Sequence, residues 1–205
     1  SDKAYGDQVT LPYTEDAPLH GDYPYDVSKS CVDLLAQSYW KSYRLPVCIT
    51  RCANMFGPGD LQWTRIVPRT IRLALRDEAP TIRSDGFYKR DYCYVRNIAD
   101  AYLTLAEAME VRDYDGHAFN FGSETPLTVF ELVEKILQKM QKEHLIPNVQ
   151  NTATGEIRHQ WLDCTKARTR LGWAPTWTLD EGLDATIAWY ADYLEAVWAP
   201  QPSLY

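Results

Sequence analysis

A tyrosine and a lysine lie four residues apart in the segment GDYPYDVSKS, as Tyr25 and Lys29. Residues at this spacing lie on the same face of an α-helix, so both side chains can point at one ligand. A lysine ammonium favours the ionised form of a nearby phenol and lowers the phenol pKa from its usual value near ~10. The pair could therefore remove a proton from a sugar or alcohol hydroxyl group. The spacing alone equally fits two neighbours on a surface helix.

The pair lies near the start of a predicted amphipathic helix. Apolar residues recur at helical spacing from about Tyr23 to Tyr43, with Pro24 in the first turn. The β-branched run from Leu45 to Cys52 then predicts a buried strand, and NMFGPGD predicts a loop. A helix followed by a buried strand is typical of a parallel α/β sheet.

Helices and short strands alternate along the rest of the chain. Helices are predicted at about 64–76, 97–109 and 128–142, after Asp163, and at about 179–197; strands are predicted at 81–82, 88–95 and 117–121. Thr128 and Glu131 have the spacing of a capping box. Residues 146–160 are polar and do not favour either element. The alternation predicts the α/β class.

Composition excludes several classes of function. The chain has 205 residues, 45% of them hydrophobic, enough for one large domain or two small ones. The net charge is -7 and the basic residues are scattered, so no nucleic-acid partner is predicted. The five cysteines and four histidines have no metal-ligand spacing, and no apolar run approaches the ~18 residues of a membrane span. We interpret the chain as a cytoplasmic protein with reduced cysteines and no metal site.

Several motifs occur in an order that resembles one known family. They are YPYDVSKS, RCANMFGPGD, RDYCYVRNIADAY, AFNFGS and LDCTKARTRLGW. Together they resemble the extended short-chain dehydrogenase/reductase family that modifies nucleotide sugars. The resemblance extends over almost the whole chain, and it implies a Rossmann-type fold with a smaller α/β substrate-binding domain. It also implies that NAD is the cofactor and that Tyr25 and Lys29 contact it.

The opening tripeptide resembles one reaction class of that family. Ser1-Asp2-Lys3 is most similar to the CDP-glucose 4,6-dehydratases, in which lysine takes the third place. The resemblance implies that Tyr25 removes the C4 hydroxyl proton, that Lys3 is the base at C5, that Asp2 protonates the departing C6 hydroxyl, and that Ser1 bonds the C4 oxygen. Lys3 must then be neutral, which requires burial or nearby positive charge. The alternative for all three residues is a polar turn after a strand.

The resemblance also implies nucleotide-binding residues. Asn54 and Arg90 match positions that contact the diphosphate in relatives, and a guanidinium group can bind its oxygens bidentately. Arg65, Ile66 and Val67 resemble the stretch that lies against the base and ribose. Arg158 is a weaker candidate for a phosphate contact. The alternative for each arginine is a solvated surface position.

The glycine-rich NAD fingerprint of this family is absent from the sequence. We therefore expect residues 1–60 to be the last part of a dinucleotide-binding domain with its catalytic helix, and 61–205 to be mostly a nucleotide-sugar-binding domain. The fingerprint half is expected either in a longer parent protein or on a second polypeptide. The 205 residues alone are then expected to be inactive. A homodimer through the long helix is predicted, although burial against the missing half would explain the same apolar pattern.

Three functions are compatible with these residues. The first is a nucleotide-sugar 4,6-dehydratase, with CDP-glucose preferred. The second is a 4-epimerase or decarboxylase of the same family, which shares Tyr25 and Lys29 but has no use for an acid and a base at Asp2 and Lys3. The third is a nucleotide-sugar-binding module without catalysis.

Overall fold

The structure is a computed structural model that describes residues 1–111 and 113–198. Its α-helices are α1 (Pro24–Tyr43), α2 (Ile66–Leu75), α3 (Val95–Ala108), α4 (Val129–Lys139), α5 (Thr165–Leu171) and α6 (Leu179–Trp198). Its strands are β1 (Ile49–Cys52), β2 (Asn54–Phe56), β3 (Thr81–Ile82), β4 (Lys89–Arg90), β5 (Tyr92–Tyr94), β6 (Ala118–Phe121), β7 (Leu127–Thr128), β8 (Asn148–Val149) and β9 (His159–Gln160). Short 3₁₀ turns lie at Asp2–Tyr5 and Met109–Val111. The predicted α/β class is confirmed.

Parallel pairing dominates the strands. β1 pairs with β6, β2 with β5, and β3 with β8, all in parallel. β4 is the centre of a three-stranded sheet, parallel to β9 and antiparallel to β7. Parallel neighbours require crossover connections, and helices α2 to α4 lie in the segments that connect these strands.

Local sequence explains where the long helix begins and ends. Pro24 occupies the first turn of α1, where its missing N–H has no helical partner to lose. Arg44 ends the helix in the left-handed region, with φ of 54°, and its N–H donates to the Trp40 carbonyl. The predicted capping box is also present, because Thr128 accepts from the Glu131 N–H and Glu131 accepts from the Thr128 N–H.

Two boundaries differ from the prediction. The predicted strand from Leu45 begins only at Ile49, because the ladder with β6 starts at the pair Ile49 and Ala118 and Pro46 has no N–H to donate. Part of the predicted loop forms β2, which pairs with β5 from Asn54 onward. The glycine and proline residues of NMFGPGD therefore mark a loop only after Phe56.

Two main apolar clusters form the core. The first packs the Asp2–Tyr5 turn, hereafter the 3₁₀ turn, and β1 against α3, β6 and α5. Its largest members include Tyr5, Tyr13, Phe119, Phe121 and Trp173. The second joins α2, α4 and α6 over β5. The domain boundary near residue 60 stays a prediction, and Arg112 and residues 199–205 of its second domain lie outside the described residues.

A buried ion pair fixes α1 to β1. Arg51 donates from Nε to Asp33 at 2.7 Å and from Nη2 to the same carboxylate at 3.1 Å. Its Nη1 donates to the Tyr5 hydroxyl at 2.9 Å, and that hydroxyl donates to Asn120 Oδ1 at 2.6 Å. The network therefore links α1, the 3₁₀ turn, β1 and β6. It sets the position of the Tyr25 helix relative to the Asp2-Lys3 turn.

Arg51→Met is expected to lower the free energy of unfolding by about 3–5 kcal/mol, because it leaves the Asp33 carboxylate buried without a counter-charge. The side chains of Arg51 and Asp33 are only 3% and 4% exposed. Urea unfolding measures the change. The control is Arg158→Met, whose ion pair with Asp85 is exposed and should contribute less than about 1 kcal/mol. An equal loss of unfolding free energy in the two variants would show that the Arg51–Asp33 pair does not stabilise the fold as a buried ion pair.

Several apolar side chains of α1 lie on the surface, namely Val27, Val32, Leu34, Leu35 and Tyr39. This exposed face fits either predicted partner of the helix, and the homodimer stays a prediction. All five cysteines are free. Within residues 1–111 and 113–198 no helix is both long enough and apolar enough to cross a lipid bilayer.

Candidate active site

One cavity of about 1190 Å³ collects residues from distant parts of the chain. It is open between α1, the 3₁₀ turn, β1, β2 and the start of α2. Its lining includes every residue predicted for catalysis or binding except Arg158: Ser1, Asp2, Lys3, Tyr25, Lys29, Asn54, Arg65, Ile66, Val67 and Arg90. The volume exceeds the usual range of small-molecule pockets, about 300–1,000 Å³.

The 3₁₀ turn holds the acid and base candidates. Ser1 caps the turn, and its Oγ accepts from the Lys3 N–H at 3.4 Å. Asp2 is buried, at 2% exposed. Ser30 on α1 donates to the Ala4 carbonyl at 2.8 Å, so the turn is fixed directly to the helix of Tyr25.

Lys3 lies partly buried in the wall of the cavity, and its Nζ donates to Gln160 Oε1. Burial lowers the pKa of the Lys3 amine from its usual value, and the positive charge of Arg90 lowers it further. Asp2, Asp26 and Glu156 act in the opposite direction. The net direction is the one that a base requires.

Asp26 follows Tyr25 in α1 but points into the protein. It is 5% exposed, and burial raises its pKa, an effect that nearby Lys3 opposes. The buried Asp26 carboxylate and the partly buried Lys3 amine thus influence each other's pKa. Sequence reasoning did not single out Asp26, because its only signal was its place beside Tyr25.

Tyr25 and Lys29 lie side by side at the cavity. The Tyr25 side chain is 60% exposed, and Lys29 Nζ lies 5.1 Å from the centre of its ring. Neither the Tyr25 hydroxyl nor Lys29 Nζ forms a hydrogen bond with another side chain in residues 1–111 and 113–198. Both are therefore available to a ligand on the cavity side of α1.

Arg90 is buried at the cavity wall, and carbonyl oxygens hold its guanidinium group. It donates to the carbonyls of Lys89, Ile157 and Arg158. Guanidinium has five N–H groups, so these bonds leave two donors for a ligand. Within the described residues its charge has no ion-pair partner, which suits an anionic group.

The remaining predicted binding residues lie on β2 and at the start of α2. Asn54 is on β2 and partly buried, while Ile66 and Val67 begin α2. Arg65 precedes α2, and its Nη1 lies 3.0 Å from an Asp60 oxygen. Arg65, Ile66 and Val67 form a mixed polar and apolar wall, as a base and ribose would need. The Asn54 N–H donates to the carbonyl of Asp91, so Asn54 lies near Arg90 and the expected diphosphate.

Arg158 lies outside this cavity. Its side chain is 61% exposed and pairs with Asp85 at 3.1 Å. Two residues that sequence reasoning missed line the cavity instead, Arg83 and Glu156, which pair with each other at 3.1 Å. Glu156 lies in the polar stretch that favoured neither helix nor strand, so no periodic signal could identify it.

Three known proteins are similar to this chain in sequence or in structure. A dTDP-glucose 4,6-dehydratase of Streptomyces griseus is 32% identical over 98% of this chain and 59% of its own length. The structure of dTDP-glucose 4,6-dehydratase from Bacillus anthracis in complex with NAD has a TM-score of 0.86, 29% identity, and coverage of 95% of this chain and 61% of that chain. UDP-glucose 4-epimerase from Thermotoga maritima, solved with UDP-glucose, has a TM-score of 0.87, 30% identity, and coverage of 95% and 62%.

The chain thus spans about three-fifths of the length of these relatives. The predicted resemblance to the extended short-chain dehydrogenase/reductases of nucleotide sugars is confirmed, with dehydratases and epimerases both among the similar structures. The family model for GDP-mannose 4,6 dehydratase matches residues 1–186. The match includes each segment that lines the cavity, and the chain therefore belongs to the GDP-mannose 4,6 dehydratase family.

Proposed function

We propose that the full-length protein containing this chain is an NAD-dependent nucleotide-sugar 4,6-dehydratase that acts on CDP-glucose. The observation that supports it most is one cavity lined by both Tyr25 with Lys29 and Asp2 with Lys3. The first pair suits removal of a hydroxyl proton, and the second suits elimination of water. We further propose a homodimer in the cytoplasm.

The exposed residues of α1 fit the nicotinamide riboside end of NAD. Lys29 offers an ammonium without an acceptor in the described residues, beside the Tyr25 hydroxyl. Such donors match ribose hydroxyl groups. When bound, NAD would accept hydride from C4 of the sugar and return it to C6.

In the first step, Tyr25 would accept the proton of the C4 hydroxyl as that carbon is oxidised to a ketone. Ser1 would donate a hydrogen bond to the C4 oxygen. The new ketone acidifies the C–H bond at C5. A base that is too weak to remove the C5 proton from the starting sugar can therefore remove it from the 4-keto sugar.

In the second step, Lys3 would take the C5 proton, and Asp2 would give a proton to the C6 hydroxyl, which leaves as water. The Lys3 ammonium then returns a proton to C5 as C6 is reduced. The sugar loses one water in total. Tyr25 ends with one proton more and Asp2 with one proton fewer, and exchange of protons with solvent would restore both groups. Burial of Lys3 supports this role because it favours the neutral amine.

The second candidate is a 4-epimerase, favoured by the similarity to the Thermotoga maritima enzyme. An epimerase uses the Tyr25 step but removes no proton from C5. The buried Asp2, and the Lys3 pKa that burial lowers from its usual value, therefore favour the dehydratase. A decarboxylase or a silent binding module would likewise make no use of these two groups.

Arg90→Met in the full-length protein is expected to weaken binding of the substrate's nucleoside diphosphate about 10–100-fold, because hydrogen bonds to charged groups are worth about 1.5–3 kcal/mol. Calorimetric titration with CDP measures this. Arg158→Met is the matched control, since Arg158 is adjacent in the fold but outside the cavity. Equal weakening in both variants would contradict the role of Arg90.

The function itself is tested with NAD and, separately, CDP-glucose, UDP-glucose, dTDP-glucose and GDP-mannose. A 4-keto-6-deoxy product absorbs in alkali, and a 4-epimer does not. Absorbance with CDP-glucose alone is the expected result. Absorbance with another nucleotide sugar alone would correct the substrate, and none with any of the four would contradict the dehydratase.

A further inference from the structure

Gln160 lies behind Lys3, outside the cavity lining and completely buried on β9. A buried amide must replace the hydrogen bonds that it loses to water. Gln160 does so with one short segment: its Nε2 donates to the Asp2 carbonyl at 2.8 Å, and its Oε1 accepts from Lys3 Nζ. Both ends of the amide are thus used to hold the turn with the acid and base candidates.

The chemistry of the partners fixes the orientation of this amide. The Asp2 carbonyl can only accept, so the NH₂ group of Gln160 must face it. The carbonyl of Gln160 is then left for the Lys3 amine. A neutral amine can donate one N–H to this oxygen and still direct its lone pair elsewhere. A carboxylate at the same place would instead stabilise the ammonium form.

The strand ladder holds Gln160 in place. β9 pairs with β4 so that Gln160 lies opposite Arg90. The Arg90 guanidinium also bonds the carbonyls of Ile157 and Arg158, just before β9. The residue proposed to bind the diphosphate and the residue that holds Lys3 therefore lie on one rigid pair of strands.

We propose that Gln160 is a positioning residue for the elimination step: it anchors the Lys3 amine at the cavity wall, and its uncharged amide leaves that amine free to act as a base. This inference depends on the proposed function, because that function assigns the C5 proton to Lys3. Gln160 itself acts through Lys3 and Asp2.

Charged groups on four segments of the chain act on Lys3. Asp2 lies on the same turn, Asp26 on α1, Arg90 on β4, and Glu156 in the segment before β9. Burial and Arg90 lower the Lys3 pKa, whereas the three carboxylates raise it. A carboxylate at position 160 would add a fourth opposing charge in direct contact with the amine.

The test is Gln160→Glu in the full-length protein. Titration of isotope-labelled lysines by NMR, with the Lys3 signal assigned from Lys3→Arg, gives the Lys3 pKa. We expect a rise of about 1–3 pH units, as for an opposite charge within hydrogen-bonding distance. The acidic limb of the pH–rate profile should move upward by the same amount. Gln150→Glu makes the same change at an exposed residue outside the cavity and should move neither.

An unchanged Lys3 pKa in Gln160→Glu would overturn the inference. A raised Lys3 pKa with an unmoved rate profile would support the contact and overturn the role of Lys3 in the proposed function. Gln160→Met provides a second test without an added charge. It should lower kcat about 10²-fold with KM unchanged, because the amine loses its anchor, and an unchanged kcat would overturn the inference.

Discussion

Tyr25→Phe in the full-length protein is expected to lower kcat about 10²–10⁴-fold, the usual contribution of a positioned acid or base. The substitution removes one hydroxyl from a side chain that is already 60% exposed, so folding should not change. KM should change little, because the diphosphate contacts proposed for Arg90 remain. Steady-state kinetics with CDP-glucose and NAD measures both constants.

The matched control is Tyr43→Phe, at the other end of the same helix, where the side chain is 75% exposed. It should retain the rate of the unchanged protein. Retention of that rate by Tyr25→Phe as well would remove Tyr25 from the mechanism. The chain would then fit the binding module better than the enzyme.

Lys3→Met is expected to abolish solvent exchange at C5 and to lower product formation about 10²–10⁴-fold, since no other group is proposed to take that proton. Nucleotide binding should persist, because Arg90 and Asn54 are unchanged. Uptake of deuterium from D₂O at C5, followed by NMR, separates this step from oxidation at C4. Lys41→Met, at an exposed position near the end of α1, is the control and should leave exchange unchanged.

The pH dependence of the unmodified protein follows from the same group. A base acts only when it has lost its proton, and burial lowers the pKa of Lys3. The rate should therefore fall as pH drops through this lowered pKa and be restored above it. In Lys3→Met the residual rate should lose this limb. A limb that persists in that variant would assign the titration to another residue.

Local patterns predicted the elements that depend on local interactions. The spacing of Tyr25, Lys29 and the apolar residues after them predicted α1 to within one residue of its observed start. Thr128 and Glu131 predicted their own capping box, because both partners lie within one turn. In both cases the residues that predict the element also form it.

Long-range pairing could not be predicted in the same way. β8 and β9 have two residues each and pair with strands more than sixty residues earlier. No hydrophobic period can develop over two residues, so the sequence of this segment favoured no element. Gln160 was missed for that reason, since its role depends on which strand lies beside it.

The motifs predicted most residues of the candidate site. One predicted residue, Arg158, lies outside the cavity, and the structure shows why. All the residues that the resemblance named line the cavity except Arg158. Arg158 lies just before β9, and its side chain extends to Asp85. Its carbonyl faces Arg90 instead. The backbone of Arg158 therefore holds a cavity residue, whereas its side chain lies at the surface. Residue type alone does not show whether the backbone or the side chain contributes to a site.

In the proposed reaction, Asp2 and Lys3 eliminate water from an oxidised sugar. The most direct measurement is incubation of the full-length protein with NAD and CDP-glucose in D₂O, followed by mass spectrometry and NMR of the product. We expect a nucleotide sugar that has lost one water and has deuterium at C5. A product of unchanged composition, inverted at C4 and without deuterium at C5, would contradict the account and identify an epimerase.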